Sequence, residues 1–126
     1  VVQLPPEVSS QLRDGELVSP KGPVFQTAVI AGTMAAKKTA ELIPLCHPIG
    51  LDHCSVDVRL TDAAHVQIDV RCEVTHRTGI EMEAMTAAAV AALTVYDMCK
   101  GLSHAIRISD LRLIGKTGGK EDYHAA

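Results

Sequence analysis

The sequence predicts an α+β sandwich in which two helices cover one face of an antiparallel sheet, in the order β-α-β-β-α-β. Three observations carry this. Cys54, Val56, Val58 and Leu60 alternate with Ser55, Asp57 and Arg59, and Val66, Ile68, Val70, Cys72 and Val74 alternate with Gln67, Asp69, Arg71, Glu73 and Thr75. With Thr61 to Ala64 as the turn, this is an antiparallel hairpin with one buried and one polar face. The stretch from Thr78 to Lys100 reads as one long helix, rich in alanine and free of proline and of internal breaks until Gly101. A shorter helical pattern, capped by Thr33 and running to Ile43, precedes the hairpin. With a strand on each flank, this is the split βαβ arrangement of a ferredoxin-like fold.

Taken in order, residues 1–23 read as an arm. Pro5-Pro6-Glu7 opens a short helix to about Arg13, which Asp14-Gly15 stops. Pro20, Gly22 and Pro23 bracket Lys21 in a stiff loop; a solvated charge and a positioned phosphate ligand both fit it. Val24 to Ile30 is the first strand candidate, broken by Gly32. Pro44-Leu45-Cys46-His47-Pro48 is a loop pinned by a proline at each end. After the long helix, Ala105–Ile108 and Leu111–Ile114 supply the last strand, bulged near Ser109-Asp110. The expected division is an arm (1–23), a ferredoxin-like catalytic domain (24–115) and a mobile C-terminal loop and tail (116–126).

The long helix organises the rest. Thr78 and Glu81 have capping-box spacing. Its middle is small and apolar all round, as in a buried helix that lets another backbone come close. The polar groups sit at the two ends: Glu81 and Glu83 at one, Tyr96, Asp97 and Lys100 at the other. On the helical wheel Asp97 lies about 40° from Glu83, but along the axis they are about 21 Å apart. Either these charges merely solvate and cap the ends, or they serve one site only by meeting between chains.

Composition excludes several classes. The 126 residues suffice for one core, 47% are apolar, and with no Trp, one Phe and two Tyr the core must be aliphatic. A net charge of −3 without a basic run argues against nucleic acid as a partner. No apolar run is long enough to span a membrane, and the first residues do not form a signal peptide. Cys46, Cys54, Cys72 and Cys99 form no CxxC pair and read as reduced, mostly buried thiols of a cytoplasmic protein.

Among residues able to do chemistry, His47 is the sharpest local feature. Adjacent Cys46 and His47 seldom ligate one ion and no partner pair has zinc spacing, so no metal is expected. A nucleophilic Cys46 lacks a placeable partner. A histidine on proline-stiffened backbone suits hydrogen bonding or proton transfer. Lys37 and Lys38 read as the wet face of the first helix. Lys116-Thr117-Gly118-Gly119-Lys120 has the glycines and cations of a phosphate loop without the order of a P-loop.

Leu42-Ile43-Pro44-Leu45-Cys46-His47-Pro48, Thr78-Gly79-Ile80-Glu81-Met82-Glu83-Ala84, the block from Ala91 to Lys100 and Lys116-Thr117-Gly118-Gly119-Lys120 resemble the signature blocks of the molybdenum cofactor biosynthesis protein C family. The resemblance runs from about Lys21 to Lys120 with the blocks in the family's order. It implies a cyclic pyranopterin monophosphate synthase, a ferredoxin-like homohexamer built as a trimer of dimers. The implied reaction converts a cyclic dihydroguanosine triphosphate with release of pyrophosphate and no cofactor. By motif, Asp97 matches the family's acid/base, and Lys21 and Lys100 its active-site lysines. Leu45, Cys46, His47, Met82 and Glu83 match substrate-contact segments, with Glu81 close by and Lys116 a phosphate contact. Two departures stand out: Lys21-Gly22-Pro23 replaces the usual Lys-Gly-Asp, and the family's N-terminal Met-Val-Asp segment with its following arginine is not seen. The competing reading is a non-catalytic oligomeric ligand sensor, since fold alone does not fix function.

Overall fold

The computed structural model describes residues 1–75 and 79–125. Its main sheet is built from β1 (Val2–Gln3), β5 (His53–Leu60), β6 (His65–Glu73) and β7 (Arg107–Ile108), in the order β5-β6-β1-β7. Every neighbouring pair is antiparallel. Two helices, α2 (Val24–Lys37) and α4 (Glu81–Cys99), pack on each other and against β5 and β6. This is the α+β sandwich expected, with the βαββαβ order intact.

The hairpin has the expected two faces. Cys54↔Cys72, Val56↔Val70, Val58↔Ile68 and Leu60↔Val66 face one another on the helix side, and Ser55↔Arg71, Asp57↔Asp69 and Arg59↔Gln67 on the other. Asp57 and Asp69 directly opposed would repel. Arg59 bridges them, bonding Asp57 and reaching Asp69 Oδ2 at 2.7 Å. At the turn, Asp62 Oδ1 accepts the amides of Ala64 and His65 at 2.8 and 3.0 Å, an Asx turn.

The first strand is not where its β-branched residues suggested. Val24 to Ile30, expected as a strand, is the first half of α2. The buried residues Val24, Ala28, Gly32, Ala35 and Ala36 recur at helical spacing, the period a short Val/Ile-rich run conceals. What starts this helix is a distant side chain. Glu16 Oε1 accepts the Phe25 amide at 2.8 Å and Oε2 the Gln26 amide at 3.1 Å, satisfying orphan donors at the positive end of the helix dipole. Pro23 is the N-cap residue. Thr33, expected as a cap, lies inside α2 with its hydroxyl donating to the Val29 carbonyl at 2.8 Å. A single turn, α3 (Thr39–Leu42), follows the exposed Lys37 and Lys38.

The strand missing from 24–30 is supplied by β1, from the segment read as an arm. Val2 pairs with Val66 on one side and Ile108 on the other. Val2, Leu4, Val8 and Leu17 are core residues, so much of 1–23 packs inside. The helix α1 (Pro6–Ser9) ends before Arg13. Asp14-Gly15, both at positive φ, is the two-residue turn of a hairpin between β2 (Leu12–Arg13) and β3 (Glu16–Ser19). A second hairpin joins β3 to β4 (Gly22–Pro23), with Pro20-Lys21 at its tip. The last strand is shorter than expected: only Arg107–Ile108 pairs, and Leu111–Ile114 forms no strand. Near the C-terminus, β8 (Gly115–Lys116) pairs with β9 (Tyr123–His124) where a plain loop was expected.

The capping role expected of Thr78 falls outside the described residues; the described helix begins at Glu81. Burial covers one stripe of α4 (Glu83, Thr86, Ala87, Ala91, Ala92, Val95) rather than all of it, while Leu93 on the other side is exposed. The two helices approach tightly at Gly32. A Cβ there would lie 3.0 Å from the Ala87 carbonyl oxygen and 3.3 Å from both Ala91 Cβ and Val56 Cγ1. Gly32→Val should therefore push α2 off α4 and β5 and cost roughly 1–3 kcal/mol or more by overpacking. Urea unfolding checks this; wild-type stability would refute the close contact.

Candidate active site

The charged residues fall into two groups, one at each end of α4. At the carboxyl end, Asp97 Oδ2 accepts a hydrogen bond from Lys21 Nζ at 2.9 Å, and Asp97 Oδ1 lies 3.1 Å from Lys100 Nζ. Lys100 arrives by sequence, three residues on. Lys21 arrives by fold, from 76 residues away. Its turn is built for this: the hairpin pairs Ser19 with Gly22 and the Lys21 amide donates to Ser19 Oγ at 3.1 Å. Gly22, at φ +116, makes the return that few other residues allow. The three side chains are about half exposed, so the cluster adds little stability and its worth lies in placing two cations side by side. Hydrogen bonds from Lys21 and then Lys100 hold the Asp97 carboxyl below the usual aspartate range. The sign follows. Asp97 is ionised at neutral pH, and what the cluster contributes is present above the unfolded aspartate pKa and lost as pH falls through the lower folded one.

At the amino end of α4, Glu83 is buried, and the Cys46 thiol of the Pro44–Pro48 loop lies 3.9 Å from Glu83 Oε2. Desolvation first, and the Glu83 carboxylate second, push the Cys46 thiol up. That is the opposite of an activated nucleophile. Burial with the neighbouring Cys54 likewise takes Cys72 up to about 12, and burial takes Cys99 up to about 11. Leu45 is fully exposed at φ +62, a strained conformation for a residue with Cβ, and His47 beside it is exposed. Glu81 folds back toward Gly79, where a side chain would collide with Glu81 Oε2. Lys116 Nζ lies 3.8 Å from Glu81 Oε1, and Glu81 Oε2 is buried without a hydrogen-bond partner among the described residues. Met82 is exposed on the next position.

The fold therefore brings Lys21, Asp97 and Lys100 together, and separately Cys46, Glu81, Glu83 and Lys116 with Leu45, His47 and Met82 near them. They sit at opposite ends of α4, which is nineteen residues long. Glu81 and Lys116 open onto a groove of about 1140 Å³ between β6, α4 and residues 108–117, whose α4 wall is Ala84, Met85, Ala88, Ala89 and Leu93. The Asp97 cluster does not line it. Among the described residues, no group of three or more His, Cys, Asp or Glu has metal-binding geometry, and no helix is long and apolar enough to cross a membrane. Sequence reading missed Ser19, Glu16 and the Asp14-Gly15 hairpin that together position Lys21. The Asp-Gly dipeptide was the available signal.

The model of the MoaC family matches residues 1–119. The chain belongs to the MoaC family. A protein of Xanthomonas campestris pv. campestris named cyclic pyranopterin monophosphate synthase is 54% identical over 125 residues, covering 99% of this chain and 76% of that protein. One of the same name from Roseiflexus castenholzii is 50% identical over 120 residues, 94% of this chain and 75% of its own length. A molybdenum cofactor biosynthesis bifunctional protein of Synechocystis is 48% identical over 126 residues, with 97% of this chain matching 36% of that one.

Because Lys21 contributes more than Lys100 to the depressed Asp97 pKa, Lys21→Ala should raise the Asp97 titration midpoint further than Lys100→Ala does. Carboxyl chemical shifts followed by NMR from pH 2 to 6 check this ordering. Equal midpoints in all three proteins would mean that the cluster does not exist in solution.

Proposed function

We infer that this chain is a cyclic pyranopterin monophosphate synthase of molybdenum cofactor biosynthesis, a lyase that converts the cyclic dihydroguanosine triphosphate and releases pyrophosphate. The single observation that carries this reading beyond the family match is the Lys21–Asp97–Lys100 cluster. A triphosphate needs cations on its oxygens as charge moves onto departing pyrophosphate, and two ammonium groups held on one carboxylate are preorganised for it. Lys116, on the glycine-bearing loop, supplies a further cation for the same anionic substrate.

Asp97 supports the proton transfers that ring opening and pterin closure require. In the free chain the two lysines keep it ionised and weakly basic. A bound triphosphate competes for both ammonium groups, which raises the basicity of Asp97 when substrate is present. His47, Leu45 and Met82 lie exposed beside Cys46, Glu81 and Glu83, an arrangement that supports contact with the rest of the substrate. The unpartnered Glu81 oxygen adds an acceptor there.

One small substrate does not span the two ends of α4, about 21 Å apart by helical rise. We propose that each site is shared by two subunits of a homohexamer, with His47, Glu81 and Glu83 from one chain and Asp97 and Lys100 from its neighbour. The exposed apolar residues on the helix layer, Ile30, Met34, Leu42 and Leu93, support burial against another copy. The four free cysteines fit a reducing, cytoplasmic compartment.

Pyrophosphate release from the cyclic triphosphate separates this reading from a ligand sensor, which binds without turnover. Asp97→Asn keeps the side chain's size but removes the base, so turnover should fall by roughly 10² or more with the fold intact by circular dichroism. Near-normal turnover would remove Asp97 from the chemistry. For the shared site, mixing inactive His47→Ala and Lys100→Ala subunits under conditions that exchange chains should restore part of the activity. Exchange verified by mass with no activity regained would place both residues in one chain's site.

A further inference from the structure

We propose that Asp122 is a positioning residue: its side chain locks the loop after Lys116 so that the Lys116 ammonium group is held over the amino end of α4. The inference rests on the reading of Lys116 as a phosphate contact. Lys116 is the last residue of β8 before a six-residue loop that returns to Tyr123, its partner in the β8–β9 ladder. The ladder is only two residues wide on each side, extended by the Ala125 amide donating to the Ile114 carbonyl at 2.7 Å. So short a ribbon does not hold a loop still by itself. Within the loop, Gly118 and Gly119 stand consecutively at φ +82 and +68, a conformation without intrinsic preference for one geometry in glycine.

What closes the loop is Asp122 Oδ1, which accepts the Gly118 amide at 2.8 Å. That bond ties the chain two residues after Lys116 to the residue just before Tyr123, so both sides of the loop are fixed to the ladder. The closed loop lies against α4's amino end, where the Gly119 Cβ position is 3.5 Å from the Gly79 nitrogen. The same closure leaves Lys116 three-quarters buried, with Nζ 3.8 Å from Glu81 Oε1. At that distance the pair is not a tight salt bridge, so the Lys116 ammonium retains donors for a substrate oxygen. Without Asp122, the glycines free the loop, and Lys116 must be ordered at the expense of binding. Asp122 itself is exposed, and its carboxylate bonds the loop amide rather than reaching Lys116.

The test is a double-mutant cycle on the purified enzyme with the cyclic triphosphate as substrate and pyrophosphate as readout. Asp122→Ala should raise KM roughly three- to fivefold, the worth of one net hydrogen bond, with kcat within about twofold of wild type. Asp122→Asn keeps an oxygen acceptor and should restore KM. Lys116→Ala should raise KM about tenfold or more, and adding Asp122→Ala to it should change KM no further, because the residue acts through Lys116. An unchanged KM in Asp122→Ala beside a raised one in Lys116→Ala overturns the positioning role and leaves the phosphate contact standing. Additive effects in the double variant overturn it as well. An unchanged KM in Lys116→Ala removes the phosphate contact, and the positioning role falls with it.

Discussion

The close contact of α2 with α4 is the constraint on which the rest depends. Gly32 admits the Ala87 carbonyl and the Ala91 methyl to within about 3 Å of where its own side chain would start. Only small residues allow two helices this near, and the alanines of α4 are what the partner helix sees. The contact fixes α4 on the sheet, and so fixes both of its ends. Every candidate catalytic side chain is either on α4 or delivered to one of its ends by another element: Lys21 by the β3–β4 hairpin, Cys46 by the Pro44–Pro48 loop, Lys116 by β8.

Electrostatics then assign the ends different tasks. At the carboxyl end one carboxylate faces two ammonium groups, leaving a net positive and solvent-accessible cluster suited to phosphate. At the amino end two carboxylates face one ammonium and a protonated thiol, a drier and more acidic surface. Under the proposed reaction, neither end by itself offers everything that a triphosphate-bearing purine derivative needs. A rigid helix cannot fold them together, which is why the proposed site draws on a second subunit, and the exposed apolar Leu93 on α4 fits that proposal.

The hairpin and the long helix were legible because each carries an uninterrupted period: two in residues 54–60 and 66–73, and a long unbroken helical run before Gly101. The candidate site residues stand out as motif blocks, since Asp97 and Lys100 share one turn and Glu81 and Glu83 another. The first strand was not legible. Val24–Ile30 has strand-like composition, but its buried positions follow the helical period and its start is secured by Glu16, eight residues upstream of the helix it caps. Propensity gave way to a tertiary hydrogen bond.

The sequence by itself determined the α+β class, the two faces of the hairpin, the family and the two polar ends of one helix, because these depend on local periodicity and on contiguous blocks. Only the tertiary structure decided that Val2 completes the sheet between β6 and β7, since a two-residue strand has no period to read and is defined by its neighbours. The same holds for Lys21 on Asp97 and Lys116 beside Glu81. No local pattern encodes a contact between residues 76 apart; it exists because two hairpins and a glycine-floored helix crossing bring the chain back to the same helix ends.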